Sequence, residues 1–281
     1  GHCYYYSYAG CNKWQTGCGH CPQKREFPAS WLIDRSHQNY EDKKQAFTSL
    51  PQDQLTIVPV SEWIREEMQH SFFRNNQFHV IHNGINTNIF NIYNPELVKQ
   101  KYGLNGKHIL LGVASIWSRE KGFDDCIQMA DLLHPDEMLV LVGVRPEQQK
   151  KLKKNMLGIP RTENIHQLAE LYAAADAFIN PTWQDNYPTV NLEAIACGTP
   201  VVTYRTGGSI EAITDQTGFI VPQGNVKEML EAARLISQRG KAYYQQPCRT
   251  YALENFRKED RYQDYLDLYD KLTERNPSAN I

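Results

Sequence analysis

The sequence predicts an α/β protein built on a mostly parallel sheet with helices on both faces. Two observations carry this. Short, continuous apolar runs recur from residue 108 onward, and segments with helical periodicity stand between them. Such runs read as strands buried on both faces, and their alternation with helices makes neighbouring strands parallel. The 281 residues are enough for two domains of this type or one large one.

The elements follow in order. Residues 1–50 have weak periodicity and are rich in Tyr, Trp, Cys and Lys, with Pro22 and Pro28 as breakers. They predict an irregular subdomain ending in a polar helix around Tyr40–Phe47. Leu55–Val60 is a short apolar run, hence a strand. Ser61 reads as an N-cap ahead of Trp63, Ile64 and Met68 on one helical face. Phe78–Ile81 reads as a strand, and Asn83-Gly84 as a turn opening an Asn-rich connector that ends at Pro95. Beyond it, His108–Ala114, Met138–Gly143, Ala177–Ile179, Val201–Tyr204 and Gly218–Val221 read as strands. Helices are expected from Gly122, where Phe123, Ile127 and Ala130 share a face, and across Leu168–Ala175. Further helices are expected over Thr189–Ala196, closed by Gly198, over Val226–Ile236, and around Tyr262–Tyr269.

Composition narrows the function classes. The formal net charge of -2 argues against a general nucleic-acid binder, which needs a basic face. No apolar run approaches the roughly 18 residues of a membrane span, and residues 1–20 lack the apolar core of a signal peptide. The odd count of 7 cysteines, with no export signal, favours a reducing compartment such as the cytoplasm.

Two segments carry chemistry. In Ala114–Gly122 a buried strand ends and a helix begins, and the loop between them holds Ser115, Arg119 and Lys121. Open α/β sheets bind ligands beyond the carboxyl ends of their strands, and cations beside a helix N-terminus suit a diphosphate. A solvated basic turn is the bland alternative. In Asn180–Ala194 a strand ends, a loop carries Asp185, Asn186, Tyr187 and Pro188, and a helix starts at Thr189 and Val190, with Glu193 about one turn inside. The free N–H groups at that start can hold an anion, and the two carboxylates can accept from sugar hydroxyls. Alternatively, Asp185 caps the helix and Glu193 pairs with a surface lysine.

Together these segments resemble the GT4 family of retaining glycosyltransferases. Glu120-Lys121-Gly122 matches the family's helix-opening triplet. Pro181, Asp185 and the run Glu193–Val202 match its paired acidic residues and the Glu-Ala-x-Ala-Cys-Gly-Thr-Pro-Val-Val that follows. Ile81–Asn86 resembles the family's linker, Thr206–Glu211 its Gly-Gly-x-x-Glu loop, and Thr217–Phe219 its Thr-Gly-Phe turn. The runs around Trp117–Gly122 and Asp185–Ala194 are similar to those of a subgroup acting on bacterial surface polysaccharides. Departures stand beside the matches: Ala114-Ser115 replaces the usual Gly-Arg, and Asp185 replaces the commoner Glu.

The resemblance implies a GT-B fold of two Rossmann-like domains, the N-terminal one incomplete in this chain. Residues 1–85 would be the back part of the acceptor domain, 86–255 the donor domain, and 256–281 a C-terminal helix and tail packing back on the first domain. It implies sugar transfer from a UDP-, GDP- or ADP-linked donor to a hydroxyl of a glycan or lipid-linked acceptor, with peripheral membrane association a further implication. Arg119, Lys121, Asp185 and Glu193 would be the catalytic set. Ser115, Asn186, Tyr187, Pro188, Thr189 and Val190 would line the donor site. Arg119 would take over the phosphate role, Glu193 would grip the ribose, and no metal would be required for catalysis. A non-catalytic nucleotide-sugar or glycan-binding module and a nucleotide-sugar epimerase share the same scaffold and are the alternatives.

Cys3, Cys11, Cys18 and Cys21 follow the spacing C-x7-C-x6-C-x2-C. Four thiolates with one C-x2-C knuckle can complete a tetrahedral structural zinc site, with His2 and His20 as alternative ligands. Reduced cysteines in an aromatic-rich loop, or an oxidised pair, are the other readings.

Overall fold

The structure is a computed structural model and describes residues 11–25 and 30–275. The chain divides into two compact units, Gly1–His82 and Asn83–Ile281.

In the first unit, helix α1 (Ser36–Phe47) precedes strand β1 (Thr56–Ile57), helix α2 (Glu62–Gln69) and strand β2 (Gln77–Phe78). The two strands pair in parallel, with Thr56 opposite Gln77. As the sequence predicts, Ser61 caps α2, its hydroxyl accepting the Ile64 N–H at 3.1 Å. Helix α1 begins four residues before the expected Tyr40. Its polar sequence has no apolar period to mark the start; that signal is instead Asp34, whose carboxylate accepts the N–H of Ser36 at 2.9 Å. Trp14 and Tyr40 are buried together, with Cys18 and Phe72 packed against them.

The second unit holds the large sheet. In chain order it contains α3 (Glu96–Lys101), β3 (His108–Val113), α4 (Phe123–Met129), β4 (Glu137–Val142), α5 (Pro146–Gln149) and β5 (Met156–Ile159). Then come α6 (Ile165–Ala174), β6 (Ala177–Asn180), α7 (Thr189–Ala196), β7 (Val201–Tyr204), β8 (Gly218–Val221), α8 (Val226–Arg239), α9 (Lys241–Asn255) and α10 (Lys258–Arg275). The strand order is β5-β4-β3-β6-β7-β8, and every neighbouring pair is parallel. This is the doubly wound order of dinucleotide-binding sheets, and its direction reverses between β3 and β6. Ile109, Leu110 and Leu111 of β3 are buried, as are all residues of β6 and β7, because helices cover both faces. Helix α8 packs on β6, β7 and β8, and α7 on α9. Among the described residues no helix is long and apolar enough to cross a membrane.

Helices α3 and α9 and strand β5 carried no usable pattern in the sequence. Helix α9 contains Pro247 and has little amphipathic character. It is held by two cations, the buried Arg249 and the half-buried Lys241. The Arg249 guanidinium donates to the carbonyls of Phe90 at 2.7 Å, Ala196 at 3.0 Å and Thr87 at 2.9 Å, tying the connector before α3 to the end of α7. The Lys241 ammonium donates to the carbonyls of Ala173 and Ala175 and to the Thr199 hydroxyl, closing the end of α6. Burial pulls this lysine down to about 8.

Candidate functional site

A cleft of about 330 Å3 opens at the carboxyl ends of β3 and β6, where the strand order reverses. Ala114, Ser115, Trp117 and Lys121 reach it from the β3 side. Asn180, Asp185 and residues 187–190 reach it from the β6 side. The switch point leaves such a crevice because the connections from the two strands depart on opposite faces of the sheet.

Local packing fixes both loops. Trp117 is buried, and its indole N–H donates to the Val142 carbonyl at 2.8 Å. It lies against Gly112, where a Cβ would come within 3.0 Å of the indole. Gly122 precedes α4 with φ of +74°, a conformation natural to glycine. A side chain there would collide with Pro181 of the second loop. The loops are also stitched directly: the Glu120 carbonyl accepts the Trp183 N–H at 2.7 Å and the Thr182 hydroxyl at 3.2 Å. Gly208 donates its N–H to the Asp185 carbonyl at 3.0 Å, so the Gly-Gly turn sets the height of that residue.

The outcome is an ion pair across the cleft. Lys121 Nζ lies 2.6 Å from Asp185 Oδ2, with side-chain exposures of 40% and 19%. Asp185 therefore does not cap α7. The N-cap is Pro188, and no side chain caps that terminus. Thr189 and Val190, the first two helical residues, line the cleft. A helix start presents N–H groups without intrahelical partners and a partial positive charge, which favours a phosphate oxygen. Asn191 anchors this turn from below: its carbonyl oxygen accepts from Asn180 at 2.8 Å and its amide donates to the Ser209 carbonyl at 3.1 Å.

Glu193 lies one turn deeper, and no surface lysine pairs with it. Its Oε2 accepts the Tyr172 hydroxyl at 2.9 Å. Burial pushes the carboxyl up to about 7, against the lowering effect of the tyrosine hydrogen bond. Tyr172 is itself driven well above its ordinary value by burial and by Glu193, so it remains a proton donor.

The structure thus gathers Ser115, Lys121, Asp185, Tyr187, Pro188, Thr189 and Val190 around one cleft. Arg119 is exposed and does not line it, and neither Asn186 nor Glu193 is among its lining residues. Asn180, Trp117 and Tyr172 shape the site without having been singled out from sequence. For Asn180 a signal existed: a polar residue closing an otherwise apolar strand. A second cleft of about 430 Å3 runs along the edge strand β8, lined by Arg205, Asp215 and Arg239 among others, away from the switch point. Cys11, Cys18 and Cys21 belong to the other unit, and Cys3 lies outside the described residues.

With this geometry in hand, the comparisons with known proteins are informative. Residues 107–238, which include Lys121, Asp185 and Glu193, match the family described as Glycosyl transferases group 1. The chain is 32% identical over 187 residues to the lipopolysaccharide glucosyltransferase WaaG of Escherichia coli, covering 62% of this chain and 47% of that protein. It is 26% identical over 184 residues to the alpha-maltose-1-phosphate synthase of Mycolicibacterium smegmatis, covering 59% and 48%. The chain spans about half the length of the curated relatives it matches. Among solved structures, sucrose-phosphate synthase from Thermosynechococcus elongatus superposes with a TM-score of 0.72 at 19% identity, covering 88% of this chain and 65% of that one. Anabaena HepE in complex with UDP-glucose superposes with a TM-score of 0.69 at 17% identity, covering 83% and 68%. Over residues 107–238, then, the chain is similar to the group 1 glycosyl transferases, and that segment lies on a Rossmann-like parallel sheet.

Proposed function

We propose that the protein transfers a sugar from a nucleotide-sugar donor to an acceptor hydroxyl, with retention of configuration and without a catalytic metal. The observation that carries this reading is the Lys121–Asp185 pair set beside the uncapped start of α7 in the switch-point cleft. Departure of a nucleoside diphosphate builds negative charge on phosphate oxygens. The Lys121 ammonium and the N–H groups of Thr189 and Val190 are already aimed into the cleft, so they stabilise that charge without reorganising. Asp185 shares its carboxylate between Lys121 and a hydroxyl of the donor sugar. Glu193 lies within α7, one turn past its start, where an ionised carboxylate would accept from the ribose hydroxyls. Exposed Arg119 approaches the diphosphate only if its loop closes on bound donor.

The donor classes in view are UDP-, GDP- and ADP-sugars; HepE, of similar fold, has been solved with UDP-glucose. The acceptor we assign is a glycan or lipid-linked hydroxyl in bacterial surface-polysaccharide synthesis, a reading supported by the similarity to a lipopolysaccharide glucosyltransferase. A panel of labelled nucleotide sugars, assayed with the full-length protein for transfer and hydrolysis, tests the reading. Lys121→Ala is expected to lower turnover by roughly 10²–10³-fold, the usual cost of removing one such donor. Its folding should be intact, because the side chain is partly exposed. Unchanged turnover in this variant refutes the role of Lys121. Product formed without any acceptor, or heat of binding without product, would point instead to an epimerase or a binding module.

A further inference from the structure

We propose that the cleft along the edge strand β8 binds a phosphorylated sugar, and that its occupant tightens nucleotide binding at the switch point. At about 430 Å3 this cleft is larger than the one at the switch point, and it falls in the size range of small-molecule sites. Its charged lining is two guanidiniums, Arg205 and Arg239, against one carboxylate, Asp215. Ile213, Phe219 and Ile220 supply its apolar surface. The guanidiniums suit a phosphate, and the apolar side chains suit a carbon skeleton. Asp215 repels a bare anion but accepts from hydroxyls, so the ligand assigned is a sugar phosphate and not a simple anion.

The fold leaves both arginines available. Among the described residues the Arg205 side chain makes no hydrogen bond, and neither guanidinium has a carboxylate partner. Arg239 closes the last turn of α8, where a cation suits the carbonyl end of the helix. That accounts for its charge but not for how its head group is held. The guanidinium lies over the rings of Phe219 and Tyr243, each at 6.0 Å, and donates to the Tyr244 hydroxyl at 3.1 Å. These contacts fix the planar fork and leave its remaining N–H donors open. An arginine held in this way loses little further freedom when it grips a phosphate. The strand adds a donor. The N–H groups of Val201 and Arg205, at the two ends of β7, go to the carbonyls of Thr217 and Val221. Orientation alternates along a strand, so the backbone of Phe219 also faces β7, and the Ile220 N–H points out from the open edge of the sheet.

Arg205 also stands next to the residues that hold the donor-site loop. The Thr206 hydroxyl donates to the Trp183 carbonyl at 2.7 Å, and the Gln223 amide donates to the same carbonyl at 2.7 Å. The Gly208 N–H donates to the Asp185 carbonyl at 3.0 Å. A phosphate that fixes Arg205 therefore steadies Thr206 and Gly208, and with them the loop whose Asp185 pairs with Lys121. A first ligand that orders a loop lowers the ordering cost met by the second, which is positive coupling. This half of the proposal rests on the nucleotide reading of the switch-point cleft.

Titration calorimetry on the full-length protein tests both halves, with ribose 5-phosphate as the probe and ribose and inorganic phosphate as controls. Without nucleotide, ribose 5-phosphate should bind at least about tenfold more tightly than either control. Arg205→Gln should weaken it roughly tenfold or more, the cost of one charge-assisted hydrogen bond. Arg239→Lys keeps the charge but loses the fork and should weaken it as well. Lys121→Ala should leave it unchanged. Arg205 is exposed, so its variant should fold; if Arg239→Lys does not, Arg205→Gln decides the location. With ribose 5-phosphate present, UDP should bind about fivefold more tightly or better, the lower end of allosteric couplings, and Arg205→Gln should abolish that gain. Absence of binding, inorganic phosphate binding as tightly, or binding lost in Lys121→Ala but kept in Arg205→Gln overturns the site. Ribose 5-phosphate that binds but leaves UDP affinity unchanged or weaker overturns the coupling. UDP that does not bind at all refutes the nucleotide reading and the coupling with it, while the ribose 5-phosphate titration still decides the site.

Discussion

Glu193 makes the second unit sensitive to pH near neutrality, with a sign opposite to that of most carboxylates. Its folded-state value is raised from 4.5 to about 7, mainly because burial disfavours the anion. Below about pH 4.5 the group is protonated in both folded and unfolded chains and contributes no slope. Between about 4.5 and 7 the folded protein binds the extra proton, so stability falls as pH rises, and above about 7 the loss is complete. At about 1.4 kcal/mol per unit, the full loss is roughly 3 kcal/mol. Glu193→Gln keeps an acceptor for the Tyr172 hydroxyl and removes the ionisation. Its amide adds a constant offset that does not vary with pH. Urea unfolding of both proteins at a series of pH values isolates the effect as a difference curve. The variant should gain roughly 3 kcal/mol relative to wild type between about pH 4 and pH 8. Parallel stability curves would show that Glu193 is not held neutral by burial and would refute the reasoning. Under the proposed function a bound ribose favours the ionised form. UDP should then bind wild type more tightly at pH 8 than at pH 6, with proton release detectable from the buffer dependence of the binding enthalpy.

Three further substitutions test how the site is held. Gly122→Ala adds a Cβ where φ is +74° and the Pro181 carbonyl lies in contact. It should cost on the order of 2–4 kcal/mol in denaturant unfolding and weaken donor binding, because the loop carrying Lys121 must shift. Arg249→Met leaves the carbonyls of Thr87, Phe90 and Ala196 without their shared donor. A loss on the order of 3 kcal/mol is expected, seen as a fall in Tm of roughly 6–12 °C by calorimetry; an unchanged Tm would mean the connector is held by other contacts. Asp185→Asn removes the charge that pairs with Lys121 while keeping the side-chain shape. Global stability should change by less than about 1 kcal/mol, since partly exposed pairs contribute little, while turnover falls; wild-type turnover would remove Asp185 from the reaction.

The sequence alone fixes the class of fold and the address of the site. Apolar runs buried on both faces can pair only with other buried strands, so five of the six strands of the large sheet were legible, together with α7 and its Gly198 stop. The motif loops are local as well: Glu120-Lys121-Gly122 and Pro181 to Val202 carry their own turn chemistry, whatever lies around them. Helix α9 and strand β5 were not legible. Pro247 and a weak polar period conceal the first, and the second is a four-residue edge strand, half buried. What only the tertiary structure decides is pairing across distance. Sequence placed Lys121 and Asp185 in two loops, but only the parallel sheet, with its reversal between β3 and β6, brings them to 2.6 Å. Sequence offered Arg119 and Glu193 equal standing with them. The packed chain leaves Arg119 in solvent and gives Glu193 to Tyr172, a partner 21 residues away. The physical reason is that hydropathy and turn propensity are properties of neighbouring residues. The dielectric around a carboxyl, and the partner it meets, are set by whatever the rest of the fold puts beside it.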